Sequence, residues 1–244
     1  MLETLKYCPV CGSEKHEHYL DVLGHDDGAY HLCECGAAFL TPRMDDEELA
    51  EFYSSGRYRD VVDSRDDTNQ DARKQHADRA AYLVELLKKS KFNSHLDIGC
   101  ASGELLRAVK KAHPEVFSLG VDSDPTMIAE DFTVVKTLEE VEVDGVTSRE
   151  FDLITIIQTL EHINNPVRMM NMIYDRLSTN GAVMIEVPNR RADLVAYIPP
   201  QHVIAYDEKS LRRLLSGFTI KTLAFHGHPY ISPLDRSILV VATK

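Results

Sequence analysis

The feature that most constrains this chain is the run Asp97-Ile98-Gly99-Cys100-Ala101-Ser102-Gly103, which joins an apolar strand-like segment to an amphipathic one. Glycine at such a turn allows left-handed backbone and lets a ligand approach without a Cβ in the way. The helix that follows offers unpaired N–H groups in its first turn, a ready seat for polar groups of a ligand. A glycine turn alone is weak evidence, but its surroundings narrow the choice. Asp122 closes the next apolar run, 23 positions after Gly99. A carboxylate at that place can accept hydrogen bonds from both hydroxyls of a ribose. The spacing is not the Gly-x-Gly-x-x-Gly of a dinucleotide-binding turn.

From residue 95 onward, short apolar runs alternate with amphipathic stretches. Strands are expected at 95–98, 118–121, 133–135, 151–157 and 182–187, and helices at 103–111, 125–129 and 166–177. Near-continuous apolar strands separated by helices indicate a parallel sheet covered on both faces. Residues 218–226 and 237–243 are strand-like with only turn-rich sequence between them, which predicts an antiparallel pair at one sheet edge. Asp207 stands where an N-cap would, ahead of a helix at 208–215.

The N-terminal part has a different texture. Four of the five cysteines lie in the first 35 residues, as Cys8-Pro9-Val10-Cys11-Gly12 and Cys33-Glu34-Cys35-Gly36, separated by 21 residues. Four thiolates suit tetrahedral zinc, and the glycine after each pair suits a turned backbone. Cys33 and Cys35 are one residue closer than the usual pair, so His31 or His25 stands as a substitute ligand. A closed set of four, Cys8, Cys11, Cys33 and Cys35, is expected to be structural. The expected class is therefore α/β: a Rossmann-like, doubly wound, mostly parallel sheet with an antiparallel last strand, preceded by a small zinc-ribbon-like module. The expected divisions are a zinc module at 1–42, a helical linker or lid region at 43–93, and a main domain at 94–244. Within the second division, 57–70 reads as a lid.

Charge and hydropathy exclude several partners. With 39 acidic against 27 basic residues the net charge is −12, and no basic stripe is visible, which disfavours a nucleic-acid partner. No apolar run approaches the ~20 residues of a membrane span. The start of the chain lacks the apolar stretch of a secretory signal. A cytoplasmic protein with reduced thiols and a small-molecule partner is expected.

At this point the sequence resembles the class I S-adenosylmethionine-dependent methyltransferases. Besides the turn and Asp122, Phe151-Asp152-Leu153-Ile154-Thr155-Ile156-Ile157-Gln158-Thr159-Leu160-Glu161-His162-Ile163 is similar to that family's fourth strand and its Leu-Glu-His ending. Leu177-Ser178-Thr179-Asn180-Gly181 and Met184-Ile185-Glu186-Val187-Pro188-Asn189 resemble its fifth strand and the turn before it. The resemblance implies S-adenosylmethionine as cofactor. Asp97, Gly99 and Gly103 would line its methionine end, with Cys100 and Ala101 in the same turn. Asp122 would hold its ribose, and Gln158 would join the pocket. Ala101 stands where many members have glycine, and Cys100 reads as a small packed side chain. Together with the cysteine module and the stretch from Cys35 to Arg43, the chain is similar to bacterial sugar and small-metabolite methyltransferases.

Such a reaction is an in-line displacement that often needs a base for the acceptor. His162, after the fourth strand, and His202, in the segment before Tyr206, are the candidates, with Tyr206 beside them. The expected function is methyl transfer to a small polar acceptor such as a sugar or sugar nucleotide. The alternatives are an rRNA or tRNA methyltransferase whose zinc module touches RNA, and a non-catalytic binding protein that keeps the fold.

Overall fold

The structure, a computed structural model, describes residues 2–22, 28–58, 70–87, 90–124, 131–142, 150–192, 194–226 and 236–244. β6 (Ser94–Ile98), β7 (Phe117–Val121) and β9 (Phe151–Ile157) are strands buried along most of their length, as in a sheet covered on both faces. β6, β7 and the short β8 (Val134–Val135) pair in parallel. β12 (Thr219–His226) and β13 (Ser237–Thr243) pair antiparallel, as the turn-rich sequence between them implies. With β10 (Leu177–Pro188), these strands form a seven-stranded sheet in the order β12-β13-β10-β9-β6-β7-β8. The expected helix at 125–129 and most of the lid at 57–70 lie outside the described residues.

The chain forms two compact units. One comprises Met1–Leu49, Ile156–Asp175 and Val183–Lys244; the other comprises Ala50–Thr155 and Arg176–Ala182. The latter holds the glycine turn. After it, α3 (Glu104–Ala112) buries Leu105, Leu106 and Val109, a single helix face. α2 (Gln70–Leu87) packs against this helix.

The cysteine-bearing unit is built largely from small antiparallel pieces. β2 (His16–Asp21), β3 (Ala29–Cys33) and β4 (Ala38–Thr41) form a meander, and β11 (Ile204–Ala205) adds to β4 as a fourth strand. Ile204 sits opposite Phe39, and Ala205 opposite Ala38. Tyr30, Ala38 and Leu40 from the meander share one apolar cluster with Ala196 and Ala205. β1 (Leu2–Glu3) and β5 (Arg43–Met44) pair within the same unit, so residue 42 is not a boundary between compact units. This unit also holds α5 (Glu208–Leu214), where Asp207 is the N-cap as expected. Its side chain accepts from the Ser210 N–H at 2.9 Å and the Ser210 hydroxyl answers the Asp207 N–H, a reciprocal cap of the kind that contributes about 1 kcal/mol.

Two elements differ from expectation. The run 177–181 is the start of the twelve-residue β10 rather than a separate turn, because α4 (Pro166–Arg176) ends directly against it. The irregularity is confined to Asn180, at φ 71°. The β-meander of the cysteine region was not read from the sequence, since its strands are short and mixed in polarity.

Candidate functional site

The turn after β6 takes three left-handed residues in five positions: Gly99 at φ 75°, Ala101 at 45° and Gly103 at 81°. The conformation brings Gly99 and Cys100 N–H groups onto the Val121 carbonyl at 2.7 and 3.1 Å, so the turn is tied to the end of β7. Asp122 completes the clasp, accepting from the Ala101 N–H at 2.7 Å through one oxygen and from the Asp124 N–H at 2.9 Å through the other. Gly103 caps α3 without any side-chain hydrogen bond to the helix.

Behind the turn lies a buried polar chain. Asp97 accepts from the Thr155 hydroxyl at 2.6 Å, and His95 Nε2 meets the same hydroxyl oxygen at 2.9 Å. Since the hydroxyl proton goes to Asp97, His95 must be the donor at Nε2. Burial, reinforced by the Asp122 charge and opposed by the Thr155 hydrogen bond, raises the Asp97 pKa to about 7. Burial lowers that of His95 to about 3. Neither His95 nor Thr155 is marked out by the sequence; each is one of several polar residues in its strand, and only the pairing of neighbouring strands in the sheet aligns them.

Cys100 is a packed side chain. It is buried, burial and the neighbouring Asp97 and Asp122 charges push its thiol pKa up, and a Cβ on Gly120 would come within 2.6 Å of its sulfur. A neutral thiol in that position is a poor nucleophile.

The other unit contains the remaining residues singled out above. Gln158, at the end of β9, is left-handed at φ 51°, uncommon for a residue with a Cβ. Its amide donates to Glu186 Oε1 at 3.0 Å, and its backbone N–H donates to the Glu186 carbonyl at 2.8 Å.

A few residues further on, Glu161, His162 and His202 converge, with their candidate ligand atoms within 4.8 Å of one another. The two imidazoles meet edge to face at 4.7 Å between centroids. His162 Nδ1 lies 2.8 Å from the Gln201 carbonyl, to which it can only donate, so Nε2 carries the lone pair. Burial lowers the His162 pKa to about 4, partly offset by this hydrogen bond. His202 is pinned through its backbone: its N–H donates to Ile198 and its carbonyl accepts from the Tyr30 hydroxyl. Tyr206 is fully buried, its hydroxyl directed at the Leu160 carbonyl at 3.4 Å, and burial raises its pKa. That is the setting of a packing residue, not of a base. Glu161 belonged to the quoted motif, but only the fold shows that its side chain turns toward the two histidines.

Cys8, Cys11, Cys33 and Cys35 come together as a compact set, all four sulfurs within 4.8 Å of one another. Cys8 and Cys35 lie 3.7 Å apart and Cys11 and Cys33 3.5 Å apart. Zinc–sulfur bonds of about 2.3 Å in a tetrahedron place sulfurs about 3.8 Å apart, so the donor set fits zinc. None of the four is in a disulfide. Gly12 at φ 73° and Gly36 at φ 96° close the two knuckles. A Cβ on Gly36 would collide with the Asp207 carboxylate. Arg190 completes this junction, donating to the Gly36 carbonyl at 2.9 Å and to Asp207 at 2.7 Å, all buried. His31 is not one of the cluster; its Nδ1 faces His16 Nδ1 at 3.1 Å. His25 lies outside the described residues.

The sheet order, with an antiparallel pair beyond β10 and a glycine turn clasped by an acid at the end of the next strand, defines a Rossmann-like methyltransferase fold. A family profile described as "Methyltransferase domain" matches residues 69–222, well over half of the chain, and the chain belongs to this family of class I S-adenosylmethionine-dependent methyltransferases. Among solved structures, the plantazolicin methyltransferase BamL, in complex with a triazolic desmethylPZN analog and SAH, superposes with a TM-score of 0.60 at 16% identity, covering 80% of this chain and 94% of its own. A SAM dependent methyltransferase from Archaeoglobus fulgidus gives 0.56 at 20% identity, covering 82% and 100%. The ubiquinone biosynthesis O-methyltransferase of Pseudomonas putida (strain W619) is 26% identical over 119 residues, 45% of this chain and 51% of that protein. The chain thus spans about half the length of the curated relatives it matches. Among the described residues no helix is long and apolar enough to cross a membrane.

Proposed function

We propose that this protein transfers a methyl group from S-adenosylmethionine to an oxygen or other nucleophilic atom of a small polar acceptor, a sugar or sugar nucleotide being the acceptor class favoured by the cysteine module in front. The observation that carries this reading is the clasp of the Asp97–Gly103 turn onto Asp122. Oxygen as the accepting atom is favoured by the curated relatives, which are named O-methyltransferases. The net charge of −12 weighs against RNA as acceptor.

The sulfonium of the cofactor supplies an activated methyl carbon for in-line attack. Asp122, at the end of β7 against the glycine turn, would bind the ribose hydroxyls. Gly99 and Gly103 leave the approach to the turn free of side chains, and Asp97 would face the methionine end. Gln158 would add to the pocket. On the acceptor side, His202 would take the acceptor proton. His162, held neutral by burial, would orient it, with Glu161 beside both. The four cysteines would hold one zinc ion as a structural centre, which keeps β3 and hence Tyr30 in place against the His202 carbonyl. A cytoplasmic setting, where thiols stay reduced, suits that cluster.

Two variants test the reading. Asp122→Ala removes the ribose acceptor and should weaken binding of S-adenosylhomocysteine by about 1.5–3 kcal/mol in calorimetry, the worth of charge-assisted hydrogen bonds. Unaltered affinity would take Asp122 out of the site. His202→Ala should slow turnover on an acceptor found by panel screening, by about 100-fold or more, with cofactor affinity unchanged. Equal turnover removes His202 as the base.

A further inference from the structure

The Glu161, His162 and His202 cluster is more ordered than proton transfer alone requires. Its donor atoms, a carboxylate oxygen and two imidazole nitrogens, all lie within 4.8 Å of one another. Two segments far apart in sequence carry them, and these are stitched together by main-chain groups. The Val203 N–H donates to the Glu161 carbonyl at 2.9 Å, and His162 Nδ1 donates to the Gln201 carbonyl at 2.8 Å. The second bond fixes the tautomer, so that His162 presents its Nε2 lone pair on the Glu161 side, 3.9 Å from Oε1. An imidazole whose far nitrogen is tied to a carbonyl is the usual arrangement of a metal-bound histidine. All three side chains lie in a mostly buried setting, with Glu161 1% and His202 7% exposed.

We propose that Glu161, His162 and His202 form a second metal site, separate from the four cysteines, which takes a divalent transition cation and binds an oxygen of the acceptor. The inference rests on the reading that this cluster serves the acceptor. Two imidazoles and one carboxylate suit Zn2+, Fe2+, Co2+ or Mn2+, whereas Ca2+ and Mg2+ call for oxygen ligands. Bonds of about 2.0–2.2 Å place ligands of a shared cation about 3–3.5 Å apart, so the side chains close by about 1 Å on binding. Three protein ligands leave a position open for the acceptor. A hydroxyl bound there is more acidic and releases its proton to water. With the cation bound, the two histidines act through it, which replaces the base role that His202 would have in the metal-free site, and acceptors that can place an oxygen on a metal are selected.

Cobalt(II) is the probe, added to full-length protein whose cysteine site has first been filled with zinc. The expected result is one equivalent bound, with visible d–d absorption and no thiolate-to-cobalt charge-transfer band. His162→Ala, His202→Ala and Glu161→Gln should each lower the affinity by more than about 10-fold, while zinc content stays at one per chain and S-adenosylhomocysteine still binds. Three outcomes overturn the proposal: no cobalt absorption in the wild type, bands carrying thiolate charge transfer, or variants that bind as the wild type does. Should a variant lose zinc or S-adenosylhomocysteine, the wild-type spectrum decides alone. Absent cobalt binding with intact S-adenosylhomocysteine binding sinks the metal site and leaves the methyltransferase reading standing. Lost S-adenosylhomocysteine binding in the wild type strikes that reading instead.

Discussion

The glycine-turn unit and the cysteine–histidine unit solve the same problem, placing polar groups inside a fold, by opposite means. In the first, the residues of the turn are neighbours in sequence, and its shape is set by left-handed backbone at Gly99, Ala101 and Gly103. In the second, contacts span long stretches of chain: Tyr30 to His202 crosses 172 positions and Arg190 to Gly36 crosses 154. The comparison teaches that the cysteine module is a wall of the second unit rather than an appendage. Its β4 receives β11, and its Tyr30 holds the histidine segment.

The largest expected effect breaks the second unit. Stripping zinc with a chelator, or replacing Cys35 with serine, should abolish the near-ultraviolet signature of that unit and lower the melting temperature sharply. Zinc-coupled folding carries about 10–16 kcal/mol in small zinc domains at neutral pH. Metal analysis should give one zinc per chain before treatment, and a protein indifferent to chelation would show the cysteines to be packing residues.

A smaller effect separates the buried groups of the first unit. Asp97 has a folded pKa of about 7, raised above its unfolded value, so its contribution is fully present below about pH 4 and is lost as pH rises toward 7. His95, lowered to about 3, works the other way: its contribution is present above about pH 6.5 and is lost on acidification. Asp97→Asn therefore should raise the stability of the ligand-free protein at pH 7.5 and steepen its loss between pH 6.5 and 4.5. Urea titrations at several pH values would test this, and a slope equal to wild type would place an ionised Asp97 in the native state.

The smallest effect sharpens the backbone argument. Ala101 sits in the left-handed region at φ 45°, a conformation that costs an L-residue about 1 kcal/mol. Ala101→Gly should relieve this strain and leave cofactor affinity intact. A loss of stability in denaturant titrations would show that the alanine methyl packs usefully.

Legibility followed the same division. The strands β6, β7, β9 and β13, the helix after the glycine turn and the Asp207 cap were expected close to where they lie, because period, apolar runs and capping chemistry are local signals. The four cysteines were expected to gather, and their tight second pair does close the set. The small β-meander is not legible, since its strands are short and mixed in polarity and its fourth strand comes from residues 204–205. Tyr206 was expected beside His202; it lies next to Glu161 and is fully buried. Glu161, Thr155 and His95 were present in the quoted strands, yet no pattern distinguishes a polar residue that completes a buried network from one that merely tolerates burial.

The sequence by itself determined the class: an α/β methyltransferase with a glycine turn, a clasping acid and a four-cysteine cluster. Each of those depends on residues a few positions apart or on a donor set with one favoured geometry. The tertiary structure alone decided that Glu161, His162 and His202 converge and that the cysteine module is built into the same unit as that cluster. Those choices are made by strand register and by hydrogen bonds between distant segments, whose energies depend on burial that no local stretch of sequence contains.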